Sequence, residues 1–115
     1  MPETIDIHPK DMVIARAILG RYVPHDEVWA FGSRVTGTAK EHSDLDLAII
    51  THQPLPAELW VDLKEAFTES DLSIKVDVVD WAKTTEAFRE LIKKKYVVIR
   101  KADEKNDGLK RSDRK

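Results

Sequence analysis

The sequence predicts an α/β (α+β) domain in which helices flank a mixed sheet of about four strands. Two observations carry this. Short apolar runs rich in β-branched or aromatic residues fall at 28–31, 45–50, 74–79 and 96–99, and such runs read as strands. Between most of them lie segments whose apolar residues recur at helical spacing. The resulting order, α-β-β-α-β-α-β, is that of an α/β sandwich on a mixed sheet.

Each element has its own justification. Met12, Ala15, Ile18, Leu19 and Tyr22 line one helical face, with Gly20 and Pro24 bracketing its end, which predicts a helix over 10–22. Val28-Trp29-Ala30-Phe31 is a buried strand stopped by Gly32. Residues 32–43, rich in Gly, Ser, Thr and charge, form a turn with a short helix or loop. Leu45 to Ile50 is the second strand. Pro54 and Pro56 open a helix on which Leu59, Leu63, Ala66 and Phe67 share a face. Ile74 to Val79 is the third strand. Thr84 or Thr85 caps a helix that reaches Lys94, and Tyr96-Val97-Val98-Ile99 is an edge strand.

Composition narrows the function classes. In 115 residues there is room for one core. Hydrophobic residues make up 42% and charged residues 35%, which suits a globular domain. The absence of cysteine excludes disulfides, thiolate metal sites and cysteine nucleophiles. A net charge of −2 argues against a dedicated nucleic-acid binder. No apolar run is long enough to span a bilayer and the first residues do not read as a secretory signal, so a cytoplasmic location with no membrane partner is expected. Residues 101–115 hold six basic and four acidic residues with almost nothing to bury, and read as a flexible charged C-terminal tail. The four histidines, His8, His25, His42 and His52, lack metal-ligand spacing. Trp29, Trp60 and Trp81 read as core or interface residues, and Lys93-Lys94-Lys95 as the basic end of a helix that complements its dipole.

The chemistry concentrates in Phe31-Gly32-Ser33-Arg34 and Ser43-Asp44-Leu45-Asp46-Leu47. In a strand, alternate side chains share a face, so Asp44 and Asp46 point one way while Leu45, Leu47 and Ile49 point into the core. Two carboxylates this close repel unless something positive lies between them. A divalent cation fits, and oxygen ligands suit Mg²⁺, with Mn²⁺ possible. Taken alone, Asp-x-Asp is also what surface strand ends carry, and Gly-Ser after a strand is also a plain turn. Together they offer a metal platform beside a glycine that lets backbone approach a phosphate, with the Ser33 hydroxyl as an added donor. Asp77, among the apolar residues of the third strand, is the candidate third carboxylate of a two-metal site. It shares a face with Lys75 and Val79, and a Lys75–Asp77 pair on an exposed sheet is the competing reading. Asp80 is the fallback, with a turn or cap role as its alternative. Arg34 either lends charge toward a triphosphate or makes a surface salt bridge.

Gly32-Ser33, ten intervening residues, then Asp44-Leu45-Asp46 resembles the signature of the polymerase-β-like nucleotidyltransferase superfamily. The longer string Phe31-Gly32-Ser33-Arg34-Val35-Thr36-Gly37 with Ser43 to Leu47 is similar to its minimal members, the MNT family, and Asp77 falls where that family has its third acid. Lys95-Tyr96 departs from the glycine that members often carry before the last strand. The resemblance implies a nucleotidyltransferase-like fold over residues 1–100. It implies Mg²⁺-dependent transfer of a nucleoside monophosphate, AMP from ATP, to a hydroxyl with release of pyrophosphate. Gly32 and Ser33 would hold phosphates, Asp44 and Asp46 both metal ions, and Asp77 one metal and the acceptor's proton. It further implies a small helical HEPN protein as partner, as toxin to this antitoxin, with a tyrosine as acceptor. Three alternatives stand beside it: a non-catalytic antitoxin that masks its partner, a subunit that modifies a small molecule such as an antibiotic, and a two-metal nuclease that would leave the Gly-Ser turn without a purpose.

Overall fold

A computed structural model describes residues 5–102. The elements are α1 (Pro9–Tyr22), β1 (Glu27–Phe31), α2 (Ser33–Thr36), β2 (Leu45–Ile50), α3 (Ala57–Thr68), β3 (Val76–Asp80), a 3₁₀ turn over Trp81–Lys83, α4 (Glu86–Lys94) and β4 (Val97–Arg100). The sheet order is β3-β2-β1-β4. β1 runs antiparallel to both β2 and β4, and β2 runs parallel to β3. The sheet is therefore mixed and four-stranded, with β4 at an edge. The expected tail lies, from residue 103 onward, outside the described residues. Among the described residues no helix is long and apolar enough to cross a membrane.

The apolar pattern explains the layers. Val28 and Ala30 of β1, Leu45, Leu47 and Ile49 of β2, Val78 of β3 and Ile99 of β4 form one core with Ala15 and Leu19 of α1 and Leu63 and Phe67 of α3. Several of these side chains are completely buried, and each such aliphatic chain stabilises the fold by roughly 1.5–3 kcal/mol. The opposite face of β1 carries Trp29 and Phe31. There Trp29 stacks on Tyr96 at 3.9 Å and meets Trp81 edge-on, while Phe31 meets Phe88 of α4 edge-on. α1 and α3 thus cover one face, and α4 with the 3₁₀ turn reaches the other on the β1–β4 side. Trp60 is half-buried and packs against the main core.

Local chemistry sets the element ends. Pro9 opens α1, and the His8 ring caps it by accepting from the Lys10 N–H at 3.0 Å. Gly20 lies inside that helix rather than at its end, because the chain stays helical to Tyr22 and the Arg100 guanidinium packs near this small residue. The Thr85 hydroxyl caps α4 by accepting from the Phe88 N–H at 3.1 Å, while Thr84 bonds back to the Trp81 carbonyl. β3 starts two residues later than the apolar run predicts. The Ser73 N–H and hydroxyl are drawn to the buried Asp11 of α1, and the contact with β2 begins where the Leu45 N–H meets the Lys75 carbonyl.

Candidate active site

The burial of Leu45, Leu47 and Ile49 in the core sends Asp46 to the other face of β2. Parallel pairing with β3 sets Asp46 directly opposite Asp77. Partners in a ladder stand side by side on the same face, so the two carboxylates face the same solvent-open space. Asp44 precedes the strand and is half-buried, and Asp77 is exposed. Burial, followed by the charges of Asp77 and then Asp44, pushes the Asp46 carboxyl up to about 6. The structure thus brings all three predicted acids into electrostatic contact.

Gly32 meets the same group. It has φ +83°, and a Cβ added to it would run into the Asp46 carboxylate. The glycine therefore serves two needs: a left-handed backbone at the end of β1, and space for Asp46 against the bend. Phe31 pairs with Asp46 across β1–β2, which fixes this approach. α2 starts at Ser33 and ends on Gly37, whose φ of +88° closes the helix with its N–H on the Ser33 carbonyl at 3.1 Å. Gly32 and Ser33 consequently border the carboxylates.

Arg34 stands differently from either expectation. It is buried, and its guanidinium donates to the carbonyls of Asp6 at 2.8 Å, Ser43 at 2.8 and 3.0 Å, Glu41 at 3.2 Å and Lys40 at 3.4 Å. Its partners are backbone carbonyls, not a surface carboxylate. The side chain ties the loop between Gly37 and Asp44 to α2, and the Asp6 N–H returns a bond to the Arg34 carbonyl at 2.7 Å. The ten-residue spacing of the motif is filled by the rest of α2, Gly37 and this pinned loop.

Asp80, the fallback acid, is a structural cap. It is buried and accepts from the Thr51 hydroxyl, from the Leu55 N–H at 2.8 Å and from the Ala82 N–H at 3.3 Å. It pairs with Ile49 at the far end of the strands, away from Asp46. His42 is exposed on the pinned loop.

The sequence reading missed one feature. A cleft of about 410 Å³ opens beside Gly32 and Ser33, walled by Phe31 and Leu91 and reached by Lys94 and Lys95. The lysines look remote in sequence, and only the antiparallel β1–β4 pairing, with Ala30 opposite Val97, carries them to the end of β1. Another cleft, of about 420 Å³, lies between the end of α3 and the start of β3 and contains none of the three carboxylates.

The three carboxylates are the donors on offer to a divalent cation. Among the described residues no three His, Asp or Glu side chains form a ready-made metal cage. Mg²⁺, however, is ordinarily held by one or two carboxylates with waters and substrate phosphates completing its shell. Mutually repelling acids on adjacent strands, one of them with a raised carboxyl, fit a cation that arrives with its nucleotide.

A mixed sheet that sets an Asp-x-Asp strand against a glycine-serine bend defines a nucleotidyltransferase domain. Residues 16–105 match the family described as Polymerase beta, Nucleotidyltransferase, and the chain belongs to it. Within that family it is 54% identical over 99 residues to a protein of Haemophilus influenzae called probable protein adenylyltransferase MntA, covering 86% of this chain and 87% of that protein. Among solved structures, the fold resembles a toxin–antitoxin crystal structure with AMP-PNP, at TM-score 0.66 and 20% identity over 84% of this chain and 77% of the other. It also resembles a chain from a complex of tri-AMPylated Shewanella oneidensis HEPN toxin with MNT antitoxin, at TM-score 0.60 and 17% identity over 87% and 76% of the two chains. These two likenesses concern the fold.

Proposed function

We propose that this nucleotidyltransferase moves AMP from ATP to a hydroxyl of a protein partner, a tyrosine of a HEPN-type helical protein, and so acts as its antitoxin. The observation that carries the chemistry is the Asp46 carboxyl, which lies opposite Asp77, packs against a glycine without a side chain, and is pushed up to about 6 by burial and then by the charges of Asp77 and Asp44. The protein acceptor is supported by the 54% identity to an adenylyltransferase over nearly the whole of both chains. The HEPN partner is supported by the fold's occurrence in toxin–antitoxin complexes, one with an AMPylated HEPN toxin. The cytoplasm, where ATP is available, is the setting this reading implies.

In this reading Asp44, Asp46 and Asp77 hold Mg²⁺. When bound, the metal neutralises the triphosphate and stabilises the charge that develops on the leaving pyrophosphate. The chain's own residues do the rest. The Gly32-Ser33 bend approaches the outer phosphates closely. Asp77, exposed at the site's edge, accepts the proton of the attacking hydroxyl. The bond from the acceptor oxygen to the α-phosphorus forms as the bond to the β-phosphate oxygen breaks, and pyrophosphate leaves with the electron pair. Arg34 positions Asp44 through the loop and does not touch nucleotide. Holding acceptor and α-phosphorus in line is the main catalytic contribution.

The test is incubation with α-labelled ATP, Mg²⁺ and a HEPN-type partner protein. Label appears on the HEPN protein with wild type and is absent with Asp44→Asn. Label that is equal in the two, or a partner silenced equally well by Asp44→Asn without label, would overturn the catalytic reading.

A further inference from the structure

The molecule carries a second charged group at the same end of the sheet, and no function described above uses it. Lys94 and Lys95 close α4 and reach the cleft beside Gly32 and Ser33. The strand order β3-β2-β1-β4 places the acids of β2 and β3 on one side of the Gly32 bend and these lysines on the other. Both lysines are exposed, and among the described residues neither forms an ion pair. Their neighbour Lys93 differs: it lies 3.7 Å from Glu90, one turn back on the helix, and does not line this cleft.

We propose that Lys94 and Lys95 form an electrostatic clamp for the outer phosphates of the bound triphosphate and for the pyrophosphate that leaves. The inference rests on the nucleotidyltransferase reading and adds to it two residues and a direction. The α-phosphate lies at the carboxylates, and the chain of phosphates runs past Gly32 and Ser33 toward α4. Charge complementarity selects this occupant. Two cations without ion-pair partners face a cleft that begins at Gly32, against which the Asp46 carboxylate packs, and a triphosphate whose inner end is held at the acids reaches the lysines with its outer phosphates. The apolar walls, Phe31 and Leu91, lower the local dielectric and strengthen that attraction. The direction has a consequence: a ligand that stops at the α-phosphate does not reach the lysines.

The experiment compares the binding of AMP-PNP and of AMP, each with Mg²⁺, by titration calorimetry on the full chain. Lys94→Gln/Lys95→Gln weakens AMP-PNP binding about tenfold or more and leaves AMP within twofold. The charge-keeping Lys94→Arg/Lys95→Arg stays within threefold of wild type for both ligands, and Lys93→Gln stays within twofold. The thermal melt of each variant reports folding. AMP-PNP binding that the double Gln variant leaves unchanged overturns the clamp alone. So does an equal loss for AMP and AMP-PNP, or a loss as large for Lys93→Gln. Wild-type protein that binds neither nucleotide overturns the parent reading, and the clamp with it.

Discussion

Asp80 and Asp46 belong to adjacent strands, lie at opposite ends of the β2–β3 pair, and have opposite surroundings. Asp80 is buried and saturated, with Thr51, Leu55 and Ala82 all donating to it. Asp46 is half-buried, its carboxylate has no hydrogen-bond partner among the described residues, and burial, followed by the charges of Asp77 and Asp44, pushes it up to about 6. A buried carboxylate that is fully bonded holds a structure together, whereas one left among like charges is costly unless a ligand relieves it. The contrast separates a joint of the scaffold from the proposed cation site. Asp11 falls with Asp80: it is buried, and the Ser73 hydroxyl and N–H hold its carboxyl below the usual value, with burial acting in the opposite sense.

The largest expected effect is on Asp46. Asp46→Asn removes the repulsion together with the metal ligand, so AMP transfer falls about 10³-fold. The metal-free protein does not lose stability and gains about 1 kcal/mol at pH 7, after allowance for solvent screening. Urea unfolding beside the transfer assay measures both, and a clear destabilisation would put Asp46 in the same class as Asp80. Asp80→Ala does the reverse. It strands the Thr51 hydroxyl and the Leu55 N–H, whereas the Ala82 N–H keeps the Thr51 hydroxyl oxygen as acceptor at 3.0 Å. The cost is about 2–3 kcal/mol of stability, while transfer per folded molecule, measured well below the melting temperature, stays within about twofold.

The smallest effect is a pH signature. Because the folded carboxyl of Asp11 is depressed, the stability it contributes is present above its unfolded value of 3.8 and is lost as pH falls through the lower folded value. Asp11→Asn therefore destabilises by about 1–2 kcal/mol at pH 7, and the gap narrows below pH 4. Chemical denaturation at pH 7 and pH 3 checks this, and a gap of equal size at both would show that the Ser73 bonds do not depend on the charge.

The legibility of these regions in the sequence differed for a physical reason. The face of β2 was readable because alternation is local: three aliphatic side chains needing burial decide where Asp44 and Asp46 point. Asp77 was readable only to the extent that its strand neighbours β2, and the Asp46–Asp77 register supplied what alternation lacks. Gly32 was recognised as a permissive bend, but its second duty, making room for the Asp46 carboxylate, depends on a contact between residues fourteen positions apart. For Arg34 the sequence left a triphosphate contact and a surface salt bridge open, and the structure shows backbone carbonyls as its partners instead of a surface carboxylate. Helical geometry turns its side chain inward, onto carbonyls of a loop that sequence could not fold.

By itself the sequence determined the α/β class, the order of the elements, the threonine cap of the last helix, and the glycine-serine bend and Asp-x-Asp strand as the candidate site, since each follows from spacing and residue type over short stretches. Only the tertiary structure decided which acids meet, which one is a joint, what Arg34 holds, and that two lysines from the end of the last helix stand beside the glycine-serine bend. Those facts depend on strand order and register, which are set by how the whole apolar surface is buried at once and are written in no single segment.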